Sequence, residues 1–173
     1  MKFELTLYTI LVFVVPGALA LAAFAFLIPA LASAFLAALS APSASLGILL
    51  LSLSFAIGAL VDSVRTILLD SLALKLCKYP IPADYLSEVT KDNIGVFQLV
   101  LERTQEYYRF NANSTLALLF AEVSFVLARG LDWVLLPASA LLLLLFVSAV
   151  NAKNSANWAM SQMVKPQIAK TGG

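Results

Sequence analysis

The sequence predicts an all-α integral membrane protein with four transmembrane helices and a cytoplasmic amphipathic helix continuous with or preceding the third span. Three observations predict it. The chain is 61% hydrophobic and 12% charged, with mean hydropathy +0.93, whereas soluble domains run about 45–50% apolar and about 25% charged. No charged residue occurs from Leu5 to Val61, and a crossing takes roughly 20 apolar residues. The Lys and Arg residues then fall on one side of a four-span arrangement.

The first span covers about Leu5 to Ile28, with an extension to Leu39. Lys2, the apolar run and Ala32–Ser33–Ala34 imitate a secretory signal. The run is longer than the ~7–15 residues of a signal core, so a retained helix is expected. Pro16–Gly17 inside it predicts a kink and close packing, because neighbouring helices must satisfy the backbone groups that proline frees. Ala30, Ala34 and Ala38 repeat at spacing four, a pattern that admits close helix approach.

Ser40 to Ser45 forms an uncharged turn around Pro42. The second helix runs from about Leu46 to Leu76, ~46 Å at ~1.5 Å per residue, so its far end projects or tilts. Ser54, Gly58, Asp62, Thr66 and Asp70 recur at spacing four on this helix, with Arg65 beside them. A seam of small residues therefore leads into a charged seam of Asp62 and Arg65. Depth along the helix places Asp62 near the inner edge of the hydrocarbon, Arg65 at the headgroups and Asp70 in water.

Cys77 to Asn93 is the long polar connection, held extended by Pro80 and Pro82. From Ile94 an amphipathic pattern places Ile94, Phe97, Val100, Leu101 and Tyr108 on one side. Phe97 and Tyr108 mark its expected docking surface. Tyr107, Tyr108 and Phe110 suit an interfacial aromatic belt, with Arg109 snorkelling. The third span runs from about Ser114 to Ala128, and Arg129–Gly130–Leu131–Asp132 makes a tight turn. The fourth span is Trp133 to Val150, and the tail 151–173 begins as a polar helix. The organisation is thus an N-terminal hairpin (1–76, spans about 5–39 and 46–76), a cytoplasmic connection (77–113), a C-terminal hairpin (114–150) and a cytoplasmic tail (151–173).

Lys2, Lys75, Lys78, Lys91, Arg103, Arg109, Lys153, Lys165 and Lys170 lie on one side of this arrangement, nine of the 11 basic residues. The positive-inside rule then places both termini in the cytoplasm of a bacterial inner membrane.

Glu122 falls near the middle of span three. A carboxylate there costs ~2.5–3.5 kcal/mol on insertion scales, so it faces protein or water. Tyr108, Asn111, Thr115, Glu122 and Arg129 share one helical face, and Asn111, Thr115, Glu122 and Arg129 form the expected intramembrane polar stripe. Asn113–Ser114–Thr115 matches a glycosylation acceptor, but its position makes the match fortuitous.

Catalysis has little support. The chain has no histidine and one cysteine, Cys77, which removes triads, zinc clusters and intramolecular disulfides. Cys77 reads as an ordinary reduced thiol, with acylation as its alternative. Asp62 and Asp70 are ~12 Å apart along one helix, too far to share a proton. No cofactor or metal is expected. A net charge of +1 without a basic run gives nucleic acid no electrostatic hold.

The expected partners are the lipid bilayer, further copies of the chain in a homo-oligomer and a cytoplasmic protein. The expected function is a membrane sensor, channel or recruitment module. The alternatives are a non-conducting anchor subunit of a larger complex and, by layout alone, a membrane-perturbing sensor or effector of bacterial anti-phage defence.

Overall fold

The computed structural model describes residues 7–40, 43–79 and 94–168. Five helices are present among them: α1 (Leu7–Leu27), α2 (Pro29–Ser40), α3 (Ala44–Leu76), α4 (Ile94–Arg129) and α5 (Leu135–Ile168). No strand occurs among the described residues. Windows in α1, α3, α4 and α5 are long and apolar enough to cross a membrane. The extended connection expected around Pro80 and Pro82 lies outside the described residues, as do Pro42, Lys2 and the C-terminal five residues.

The predicted extension of the first span is a separate helix. Ile28 leaves helical geometry because the proline that follows disfavours it there. Pro29 then opens α2 at the position where its missing N–H is harmless. The Ile28 carbonyl accepts from Leu31 and Ala32 N–H, which ties the two helices together. Ser43 caps α3 with extended dihedrals, its hydroxyl accepting from Leu46 N–H at 3.3 Å. The connection to the third span enters α4 as one uninterrupted helix. Gly130, with φ +83°, ends it and donates its N–H to the Val126 carbonyl. The α5 helix runs unbroken past Val150, so the expected tail helix continues the fourth span.

Helix α1 packs between α3 and α4, and α5 packs on α4. The α1–α3 crossing is a backbone contact. A Cβ built on Gly17 would lie 1.7 Å from the Ser54 carbonyl oxygen, and one on Gly58 would lie 1.9 Å from the Phe13 carbonyl oxygen. Only glycine at both positions permits this approach. The seam of Ser54 and Gly58 is therefore an interface, and both residues are buried.

The core is made of small residues. One cluster holds Ala20, Val61, Leu116 and Ala117; a second holds Ala73, Tyr108, Ala112 and Ala149. Large apolar side chains point outward instead, with Ile67, Leu127 and Leu136 each 73% exposed. Asn113, Ser114 and Thr115 are buried. This inversion of the usual distribution matches an apolar solvent, and it closes the acceptor sequence Asn113–Ser114–Thr115 to modification in the folded chain.

Replacing Gly58 by valine is expected to lower stability in detergent by about 1–3 kcal/mol, as overpacking does. Gly47→Ala, where an added Cβ meets nothing within 4 Å, is expected to leave it unchanged. Equilibrium unfolding followed by circular dichroism measures both.

Candidate functional site

The site grows from two features of α1. Pro16 has no N–H, so the Val12 carbonyl one turn earlier loses its helical partner. Gly17 brings α3 close beside it. Asn113, on the buried face of α4, answers the first feature: its Nδ2 donates to the Val12 carbonyl at 3.4 Å. The same nitrogen donates to Asp62 Oδ1 on α3 at 3.1 Å. One fully buried amide thus joins α1, α3 and α4.

Asp62 is the centre of the cluster. Besides Asn113, its Oδ1 accepts from Arg65 Nε at 3.1 Å and from Arg109 Nε at 3.3 Å. Its Oδ2 accepts from Arg109 Nη2 at 2.6 Å. Arg65 lies one turn further along α3 and is 5% exposed. Its Nη1 donates to Asp70 Oδ1 at 2.5 Å and its Nη2 to Thr66 Oγ1 at 3.1 Å. The Tyr108 hydroxyl donates to the same Asp70 oxygen. The rings join the network: the Arg109 guanidinium lies 5.3 Å from the Phe13 centroid, and Arg65 and Lys153 lie 5.4 and 4.5 Å from the Tyr108 centroid. Such contacts are worth ~0.5–2 kcal/mol each, more when desolvated.

Asp62 and Arg65 therefore form the expected charged seam, but three expectations need correcting. Arg65 is buried in the bundle and does not reach outward to headgroups. Asp70 is held by Arg65 and Tyr108 and is not free in water. Tyr108 is 6% exposed, so it is no part of an external docking surface; its hydroxyl finds a carboxylate inside the bundle. The side chain of Phe97, the other docking residue, lies outside the described residues.

The polar stripe of α4 is divided. Asn111 and Thr115 are buried. Asn111 Nδ2 donates to Ser148 Oγ on α5 at 3.2 Å, and the Thr115 hydroxyl donates to the Asn111 carbonyl at 2.8 Å. Glu122 is half-buried and accepts from Ser139 Oγ on α5 at 3.3 Å. Its other oxygen is buried without a partner among the described residues. Arg129 is exposed at the end of α4 and does not join them. Asn111 and Glu122 thus serve the α4–α5 contact, apart from the Asp62 cluster.

Arg109, Asn113 and Lys153 are the site residues that the helical patterning did not mark. Asn113 had a signal: Pro16 implies an orphan carbonyl, and a polar side chain on a neighbouring helix is its natural donor. The position of Lys153 depends on α5 packing and has no local signal.

Beside the cluster lies a cleft of about 340 Å³, lined by Arg65, Asp70, Tyr108, Arg109, Lys153 and Asn157 together with Thr104 and Gln105. Ala156 and Met160 of α5 give it an apolar wall. The start of the connection is pinned to α5 near this end. Lys78 N–H donates to Asn154 Oδ1, and Asn157 Nδ2 donates to the Tyr79 carbonyl, both at 2.8 Å. Burial pushes the Cys77 thiol up, and the charge of Lys153 partly offsets that rise. No group of three or more potential metal ligands occurs among the described residues. No family model, curated protein or solved structure matches the chain.

Removing Asn113 should leave the Val12 carbonyl unpaired, so Asn113→Ala is expected to cost about 1–3 kcal/mol. Pro16→Ala restores an N–H for that carbonyl. In its background the loss is expected to shrink by about 1 kcal/mol, which a double-mutant cycle of unfolding free energies checks.

Because the thiolate is the reactive form, Cys77 is expected to alkylate more slowly at neutral pH than a free cysteine. The rate should rise as pH climbs towards the elevated pKa. Lys153→Met removes the offsetting charge and should slow the reaction further, as timed iodoacetamide labelling would show.

Proposed function

We propose that this chain is a non-enzymatic membrane sensor module whose Asp62 cluster is a joint between helices and whose adjoining cleft is the input. In this reading α1, α3, α4 and α5 cross the membrane. The connection and both termini lie on the cytoplasmic side, as the nine basic residues favour. The reading is carried by one observation: the two guanidiniums that hold Asp62 also line the cleft. Whatever enters the cleft competes for Arg109, whose donors tie α4 to Asp62 on α3.

The rest of the molecule supports this division. The α1–α3 contact is backbone against backbone at Gly17 and Gly58, which makes that pair a rigid unit. Helix α4 meets α1 through apolar packing and the Asn113–Val12 bond, and it meets α3 through the ionic cluster, the Asn113–Asp62 bond and apolar contacts around Val61 and Ala73. A two-state element needs one contact that can be exchanged for another, and ion pairs with two alternative anions meet that need.

Spin labels at Ser71 and Ser155, exposed positions on α3 and α5, test the joint in a Cys77→Ser background. Asp62→Asn is expected to shift the pulsed-dipolar distance distribution or add a second peak. Arg109→Lys, which keeps the charge but loses the two-point grip on the carboxylate, should produce part of the change. An unaltered single peak in both variants would overturn the reading.

A further inference from the structure

We propose that the cleft binds a phosphate-bearing anion, either a soluble phosphomonoester or the headgroup of an anionic phospholipid. The inference deepens the sensor reading and rests on it for the purpose of the site, but the site itself stands on its own charge and geometry.

Among the described residues three cations line the cleft, Arg65, Arg109 and Lys153, against a single carboxylate, Asp70. Adding Asp62 behind them still leaves one positive charge in excess. That excess resides on Lys153. Its ammonium has no carboxylate within salt-bridge distance among the described residues and rests on the face of Tyr108 at 4.5 Å. Arg109 commits Nε and Nη2 to Asp62, and its Nη1 takes no hydrogen bond among the described residues. Gln105 is exposed at the same cleft. An ammonium, a guanidinium and a neutral amide thus line one space.

Size narrows the ligand. A volume of about 340 Å³ falls at the small end of the ~300–1,000 Å³ typical of small-molecule sites. A phosphate group with a short polar appendage suits it. Phosphate also suits the donor set: the guanidinium offers paired N–H groups and the lysine a mobile point charge. The apolar wall of Ala156 and Met160 faces the remainder of such a ligand, a glycerol unit or the beginning of an acyl chain. Because Arg109 supplies donors to both the cleft and Asp62, a bound phosphate draws on the same side chain that ties α4 to α3.

The experiment uses the full chain in nanodiscs of phosphatidylcholine. Glycerol 3-phosphate is titrated by calorimetry. In parallel, retention of phosphatidic acid is counted by native mass spectrometry from nanodiscs doped with that lipid. Saturable glycerol 3-phosphate binding, about tenfold weaker in Lys153→Met and retained in Lys153→Arg, supports a soluble source. Saturable phosphatidic acid retention with the same dependence on Lys153, without soluble binding, supports a lipid source. Lys75→Met removes one exposed charge outside the cleft and is expected to change neither. Gln105→Ala gives a second, milder variant should Lys153→Met fail to fold, and it is expected to weaken binding severalfold.

No saturable binding of either probe, or an equal loss in Lys75→Met, overturns the site. The distance measurement separates the two claims. Binding that leaves the Ser71–Ser155 distribution unchanged retains the anion site and removes the sensor. A distribution that responds to Asp62→Asn in a chain that binds neither probe retains the joint and removes the anion site.

Discussion

The structure depends on how closely α1 and α3 approach. At Gly17 and Gly58 the two backbones touch where any side chain would collide. That contact fixes the positions of two groups neither helix satisfies alone: the Val12 carbonyl freed by Pro16, and the Asp62 carboxylate one turn beyond Gly58. Both come within reach of one amide on α4. The glycines, the proline and the asparagine work together. A wider separation would place Val12 and Asp62 too far apart for a single Nδ2, and α4 would lose its anchor.

The electrostatics follow from that geometry. A carboxylate inside an apolar bundle is tolerated only when donors surround it. Asp62 has Asn113, Arg65 and Arg109, and the two arginines bring the charge. Arg65 would then carry an excess were it not for Asp70, and Asp70 in turn takes the Tyr108 hydroxyl. The chain Arg109–Asp62–Arg65–Asp70–Tyr108 neutralises itself link by link. It stops at Lys153, which among the described residues meets the aromatic face of Tyr108 and no carboxylate. The uncompensated charge therefore appears at the cleft and not in the middle of the bundle.

Much of the fold was legible from the sequence because the signals were local. Uncharged stretches gave the spans, Gly130 gave a break, and the spacing of Ser54, Gly58 and Asp62 gave the seam. The separation of α2 from α1 was also encoded, in Ile28–Pro29, but an apolar run continuing across it concealed the break. The site was half legible. Asp62 and Arg65 announced themselves as charges in an apolar run. Tyr108 and Arg109 looked interfacial, because aromatic and basic residues at a helix entrance usually are. The burial of Tyr108 and the pairing of Arg109 with Asp62 are tertiary facts, decided by how α3 and α5 pack beside α4. Asp70 was assigned to water by counting distance along one helix, a measure blind to the arginine folding back from the preceding turn.

The cluster also answers a problem of register. The interior is built largely from alanine, and a one-turn slide of α1 would bring Phe24 to the place of Ala20 and Leu27 to that of Ala23, so packing itself resists a shift of that size. Dispersion is not directional, however, and leaves smaller shifts weakly resolved. Directional bonds discriminate strongly. A one-turn slide of α1, ~5.4 Å, would carry the Val12 carbonyl away from Asn113 and drive a larger side chain into the place of Gly17. The price in polar atoms held inside an oily bundle thus secures a single alignment of helices, as a polar residue does in coiled coils. The same logic fits the proposed joint at the cleft end: directional bonds that select one register are also the bonds a charged ligand can compete for, whereas the alanine contacts offer it nothing to displace.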